Sequence, residues 1–455
     1  MKKQRKQVNG VNVRELALLS LLEIREGRHS HQVLRAVLEK YQYLSRAERA
    51  FFTRLCEGTV EYTIRLDYVI GHFSSLPVRK LKPVIREILR MSVYQYEFMD
   101  AVPDAAIVNE AVKLAVRKGF SSLRGFVNGV LRRMMREWDS IPWPGPEDEL
   151  QQLSVEYSMP EELLKGWLEE YGREKTCSMC RAFLEPSPTT VRFRRSGCDP
   201  EAVRHSLEEA GAVLRKAPYV ENAWFLEGYD HLQGLQAFRE GQIFVQDVSS
   251  MLAVYCAGIR KGDLVLDLCA APGGKSLLAA DLLEGSGRVI ARDLTEQKTA
   301  LIRENILRSG LENIEAETRD ATVFDPEMEG KADVVLADLP CSGLGVIGRK
   351  PDIRYRVTEK EIRSLQILQR RILVNAIRYV RPGGTLLYST CTVTPEENRE
   401  NADWILAGGG MEAVSLDPCL CRELQSESTV EGRLQLLPGQ HSADGFYIAK
   451  FRRIG

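Results

Sequence analysis

Apolar positions recur at helical spacing from residue 10 to residue 140. Val13, Leu16, Ala17, Leu18, Leu21 and Leu22 form one stripe. Ile85, Ile88, Leu89, Val93 and Tyr94 form another, with Pro83 placed to open its first turn. Further stripes run from Ala105 to Val116 and from Leu123 to Met135, and Gly71, Pro77, Pro103 and Gly119 separate them. The pattern predicts an antiparallel helical bundle with short connections. Ile141-Pro142-Trp143-Pro144-Gly145-Pro146 then breaks the periodicity and predicts a domain boundary.

Two helical segments are expected near 147–171 and 173–184. Beyond Pro186 and Pro188, Thr189-Thr190-Val191-Arg192-Phe193-Arg194 alternates like a strand, so residues 186–240 read as a small α+β module. Its Arg192, Arg194 and Arg195 suit an RNA-facing strand and a solvated one equally. From Gly241 strands and helices alternate. Apolar strands are read at Leu264–Leu268, Val289–Ala291, Val334–Ala337 and Leu386–Tyr388, with a weaker one ending near Asp320. Helices are read at 275–283, 295–308 and 359–380. This rhythm predicts a parallel sheet covered on both faces, with its ligand beyond the strands' carboxyl ends. Three domains are expected: 1–140, 141–240 and 241–455.

The candidate chemistry sits on those carboxyl ends. Asp267-Leu268-Cys269-Ala270-Ala271-Pro272-Gly273-Gly274-Lys275 is a strand entering a glycine turn that opens a helix. Gly273 and Gly274 let backbone approach a ligand, and the helix end offers unpaired N–H groups. The turn lacks the spacing of the dinucleotide fingerprint and of the phosphate-binding P-loop. Asp293, Asp320 and Asp338 end the next three strands. Singly, each aspartate is more often a cap or turn residue. Together with Asp267 they suit a cationic cofactor with a ribose diol, as S-adenosylmethionine is. Cys341, in Asp338-Leu339-Pro340-Cys341-Ser342-Gly343, and Cys391, in Tyr388-Ser389-Thr390-Cys391-Thr392, follow two neighbouring strands. Two thiols at a nucleotide-type site point to covalent catalysis on a base. The thiols of Cys56, Cys198, Cys256 and Cys269 are read as small packing groups. Cys177 and Cys180 have metal-pair spacing without a second pair, and no His-Glu-x-x-His motif occurs, so no metal is expected.

Charge divides the chain. Residues 1–140 hold 25 Lys and Arg against 15 Asp and Glu, while the remainder holds 37 against 48. A basic front on an acidic body is expected where one part grips a polyanion, although a merely solvated basic surface gives the same count. The basic start Met1–Lys6 leads into no apolar signal core, no apolar run is long enough for a bilayer, and the ten cysteines form no secreted framework. A cytoplasmic, monomeric protein is expected, with no membrane partner.

Asp267–Lys275, Asp338–Gly343 and Ser389–Thr392 resemble the signatures of the Sun/NSUN family of RNA cytosine-5 methyltransferases. The resemblance extends through Gln246–Ser250, Gly348–Asp352 and Asp444–Tyr447, covering residues 241–455. The helical front resembles a NusB-like RNA-binding domain, and that pairing resembles the 16S rRNA members of the family. The resemblance implies a Rossmann-like class I methyltransferase domain and S-adenosylmethionine bound by Cys269, Ala270, Ala271, Pro272, Gly273, Gly274, Lys275, Asp293, Asp320 and Asp338. It implies that Cys391 attacks carbon 6 of cytosine, that Cys341 assists release, and that Asp338 binds the base edge. A DNA-type cytosine methylase attacks with the cysteine after proline, here Cys341, so the reversed assignment is the mechanistic rival. Arg349, Lys350 and Arg354, in the loop after Cys341, are the candidate phosphate clamp. The competing functions are the same chemistry on tRNA or DNA, and a non-catalytic NusB-type RNA-binding factor.

Overall fold

A computed structural model describes residues 12–455; the basic start Met1–Lys6 lies outside the described residues. Two compact units emerge. One runs to Leu184 and takes back Ile347–Arg356; the other comprises Glu185–Val346 and Val357–Gly455.

The first unit is all-helical. Its helices include Val13–Arg25, Arg46–Glu61, Thr63–Phe73, Pro83–Phe98, Asp104–Arg117 and Arg124–Arg136. Ser45 and Glu48 close a reciprocal cap on the second of these, and Pro83 starts the fourth as its position predicts. Leu18, Leu21, Phe52, Leu55, Leu66 and Leu89 are fully buried in its core. The proline-rich stretch ends a helix but does not end the unit. Ile141 is buried, the Trp143 ring stacks on Tyr68 at 5.8 Å, and Arg65 lies 4.3 Å over Trp143. The division expected at residue 140 therefore falls at Leu184, after helices Glu149–Tyr157 and Glu161–Ala182. Gly172, at φ 74°, kinks the latter where two helices are read from sequence.

The second unit holds two sheets. Strands β1 (Thr189–Phe193), β2 (Val213–Lys216), β3 (Ala223–Glu227) and β4 (Ile243–Val245) form an antiparallel sheet in the order β2-β3-β1-β4. Residues 185–240 keep their own sheet and core but lie within the larger sheet's compact unit. Arg192 fulfils neither reading of its strand. It is 1% exposed, 3.3 Å from Asp281, hydrogen-bonded to Gln246 at 2.8 Å and 4.5 Å from the Phe244 ring centre. Arg194 donates to the Ser309 carbonyl, leaving Arg195 as the exposed member of the three.

The large sheet contains β5 (Leu264–Asp267), β6 (Arg288–Asp293), β7 (Ile314–Thr318), β8 (Ala332–Asp338), β9 (Val380–Thr390), β10 (Met411–Ala413), β11 (Arg433–Leu436) and β12 (Phe446–Arg453). Its order is β10-β12-β9-β8-β5-β6-β7, with β11 on β12. From β9 through β7 neighbours run parallel, whereas β12 joins antiparallel. Helices Gly274–Leu282, Glu296–Ser309 and Glu359–Tyr379 provide the crossovers. This is a Rossmann-like, doubly wound fold. The chain order reverses between β5 and β8, where a doubly wound sheet opens its ligand crevice. No helix among the described residues is long and apolar enough to cross a membrane.

Candidate active site

The crevice is built by the carboxyl ends of β5 to β9. β5 is buried at Val265 and Leu266 and delivers Asp267 into the fully buried interior. The chain then turns through a cis Ala271–Pro272 peptide and Gly273, at φ 106°. A Cβ on Gly273 would meet Ile302 at 3.4 Å in a conformation that L side chains rarely adopt. The turn is tied to β6: Ala270 N donates to Arg292 O at 2.8 Å, and Ala271 N to Asp293 Oδ2 at 2.9 Å. Asp293 also accepts from Leu294 N and from Lys298. Asp320, beyond β7, accepts from the Thr322 amide and hydroxyl, both at 2.8 Å.

Asp267 takes a bond from Ser276 Oγ at 2.6 Å, but its Oδ1 is buried without a partner. Burial pushes its carboxyl up to about 7, against the opposing pull of Ser276 and Lys275. Backbone close approach at Gly273, carboxylates at successive strand ends and a partnerless buried oxygen fit a cofactor bearing hydroxyls and positive charge. Cys269 supplies no thiolate, because burial and the surrounding aspartates push its thiol well up.

β8 and β9 pair so that Asp338 lies beside Ser389, which carries Cys341 and Cys391 to one spot. Their sulfurs are 3.3 Å apart. Asp338 accepts from Ser389 Oγ at 2.8 Å and from Lys275 Nζ at 2.6 Å, and that ammonium sits 5.5 Å from the Phe446 ring centre. Burial alone would lower Lys275, but Asp338, Asp267 and Cys391 together raise it, so it stays cationic. The contact with Cys391, burial and the carboxylates of Glu397 and Asp338 all hold Cys341 in its protonated form. Either sulfur can donate in this contact.

Cofactor turn, Asp338 and both thiols thus converge. The expected clamp residues Arg349, Lys350 and Arg354 all belong to the helical unit. Arg349 and Lys350 are exposed there. Arg354 is a correction: it is 0% exposed, its Nη1 points at the carbonyls of Glu61, Tyr157 and Ser158, and it cannot meet an RNA phosphate. Sequence reasoning assigned no role to Ser389 or Phe446, although both lie in motifs it singled out. It assigned no role to Ser342 either, within Asp338–Gly343, and it missed Glu397 outright, since no motif it singled out covers Pro395-Glu396-Glu397-Asn398.

Comparison with known proteins agrees with this geometry. The Bacillus subtilis protein described as "Probable ribosomal RNA small subunit methyltransferase B" is 36% identical over 98% of this chain and 99% of its own length. The chain belongs to the 16S rRNA methyltransferase RsmB/F family. That family's model matches residues 255–452, and the NusB family model matches residues 11–136. Ribosomal RNA small subunit methyltransferase B of Vibrio cholerae is 31% identical over 96% of this chain and 97% of its own. The crystal structure of PH0851 superposes with a TM-score of 0.82 at 25% identity, over 97% of this chain and 99% of that one. The crystal structure of NSun6 from Pyrococcus horikoshii with SFG shares the fold at a TM-score of 0.58 and 23% identity, over 65% of this chain and 98% of that one. The protein is an S-adenosylmethionine-dependent rRNA small-subunit methyltransferase of the Sun family.

Proposed function

We propose that this enzyme methylates carbon 5 of a specific cytosine in 16S rRNA through a transient bond between Cys391 and carbon 6. The 3.3 Å approach of Cys341 and Cys391 beside the Asp338–Lys275 pair carries this reading. S-adenosylmethionine, when bound along Cys269–Lys275, Asp293 and Asp320, supplies an electrophilic methyl group. Everything else falls to this chain.

Carbon 5 of cytosine is a weak nucleophile until a thiolate adds at carbon 6. Lys275 carries a positive charge that interacts with Cys391, favouring its thiolate. The Cys341 thiol, pushed up by its contact with Cys391, by burial and by Glu397 and Asp338, is assigned the assisting role rather than attack. Asp338, fixed by Lys275 and Ser389, retains lone pairs for the Watson–Crick edge and favours a proton on ring nitrogen 3. After transfer, loss of the carbon-5 proton to solvent re-forms the bond between carbons 5 and 6 and expels Cys391 as thiolate, with Cys341 assisting this release.

The base must be unpaired or extruded to expose carbon 6. The helical unit, with its basic sequence and exposed Arg349 and Lys350, is assigned the grip on RNA shape and phosphates. The test is transfer of labelled methyl to naked small-subunit rRNA and to tRNA, followed by mapping of 5-methylcytosine. Label at one cytosine of 16S rRNA is expected. Label on tRNA alone, or on another atom, would reject the proposal.

A further inference from the structure

Glu397 is a fully buried carboxylate that touches neither the cofactor turn nor the Asp338–Lys275 pair in any bond described above, yet four donors converge on it. Ser342 N donates to Oε1 at 2.9 Å, as does Gln369 Nε2 at 2.9 Å. Ser342 Oγ and Thr394 Oγ1, the latter at 2.8 Å, donate to Oε2. An acceptor-only group suits four donors, which is what an ionised carboxylate provides. Holding a charge away from water is costly, so a plain packing residue would serve stability better.

The donors are not scattered. Ser342 follows Cys341, and its Oγ also lies 2.7 Å from the hydroxyl of Thr392, which follows Cys391. Gln369 reaches past Glu397 to the carbonyl of Pro340, which precedes Cys341, at 2.9 Å. The adjoining Asn398 accepts from Thr390 Oγ1 and donates to the Thr392 carbonyl at 3.0 Å, bracketing Cys391. The residues on each side of both thiols are therefore fastened to Glu397, Asn398 or Gln369, which itself bonds Glu397.

We propose that Glu397 is a positioning residue that sets the spacing of the Cys341 and Cys391 sulfurs through Ser342 and Thr392. The proposal rests on the two-thiol reading of the site. A carboxylate is suited to this work because its two oxygens span the Cys341 loop and the residues after β9 at once. Misplacing one sulfur by about 1 Å is enough to cost a hundredfold in rate.

The test uses the full chain and a trivalent arsenical, phenylarsine oxide, which bridges two neighbouring thiols and needs no RNA. Glu397→Ala should slow bridging about tenfold and lower single-turnover methyl transfer about a hundredfold, with KM for rRNA within about threefold of the parent. Glu397→Gln keeps most of the hydrogen bonds, because the two hydroxyls can turn to accept, and should restore bridging to within about threefold. Bridging at the parent rate in Glu397→Ala overturns the proposal. So does a loss in Glu397→Gln equal to that in Glu397→Ala, which would assign the effect to charge. If Glu397→Ala does not fold, Ser342→Ala deletes the one oxygen linking Glu397 to Thr392. It should slow bridging similarly, and an unchanged rate overturns the proposal. The two-thiol reading fails separately, if Cys391→Ala still methylates RNA.

Discussion

The sulfurs of Cys341 and Cys391 stand 3.3 Å apart although 50 residues separate them in sequence. Adjacent parallel strands, β8 and β9, bring them together, and the register Asp338 against Ser389 sets both turns at one level. Equal thiols in such a pair would be a poor arrangement, since two anions at that distance repel. The surroundings differ: Lys275 interacts with Cys391, while the contact with Cys391, burial and then Glu397 and Asp338 push the Cys341 thiol up.

The loop after Cys341 depends on a backbone contact that admits no side chain. Gly345 N donates to the Cys391 carbonyl at 3.0 Å, and Gly445 N donates to Gly345 O at 2.9 Å. A Cβ on Gly345 would fall 1.9 Å from the Gly445 carbonyl oxygen. Gly345→Ala is expected to displace the loop and lower methyl transfer by about two orders of magnitude, read by single-turnover kinetics. Activity within a few-fold of the parent would show that this contact does not hold the thiols.

Arg354 and Lys350 should separate stability from RNA affinity. Arg354→Ala leaves Glu61, already pushed up to about 7 by burial, without the cation 3.7 Å away. Loss of about 3 kcal/mol in denaturant unfolding of the helical unit is expected. Lys350→Ala should leave stability unchanged and reduce the slope of log affinity against log salt by about one. A reduced salt slope in Lys350→Ala with no stability loss in Arg354→Ala would support only half of this assignment.

Most of the parallel sheet was legible because buried β-rich runs such as Leu264–Asp267 and Val334–Ala337 have no competing period. The cofactor turn and both cysteines were legible for a related reason, since glycines and thiols at strand ends are few. What remained hidden is contact over long sequence distance. Nothing local in Ile347–Arg356 says that this segment returns to the helical unit, or that Arg354 is spent on carbonyls there. Trp143 likewise holds the proline-rich stretch on the bundle, so a strong break in periodicity marked no domain edge. Arg192 was misread because strand alternation does not reveal Asp281 on a distant helix. β12 was seen only as the motif around Gly445, its Lys450 and arginines diluting the strand pattern.

Asp267 gives a pH signature. Its folded carboxyl is raised to about 7, well above the unfolded value near 3.9. The folded state therefore holds a proton that the unfolded state releases. Its contribution is full below about pH 4 and is lost as pH rises toward 7, with a slope of at most about 1.4 kcal/mol per pH unit. Asp267→Asn, a neutral isostere, should remove that slope from unfolding curves collected between pH 4 and 7. An unchanged slope would assign it to other groups.

The most direct test of the central claim is covalent. Cys341→Ala, incubated with unmodified 16S rRNA and S-adenosylmethionine, should accumulate a protein–RNA species that survives denaturing electrophoresis, because attack proceeds while release stalls. Cys391→Ala should form none. An adduct in Cys391→Ala but not in Cys341→Ala would reverse the assigned roles, and its absence from both would contradict the thiol mechanism itself.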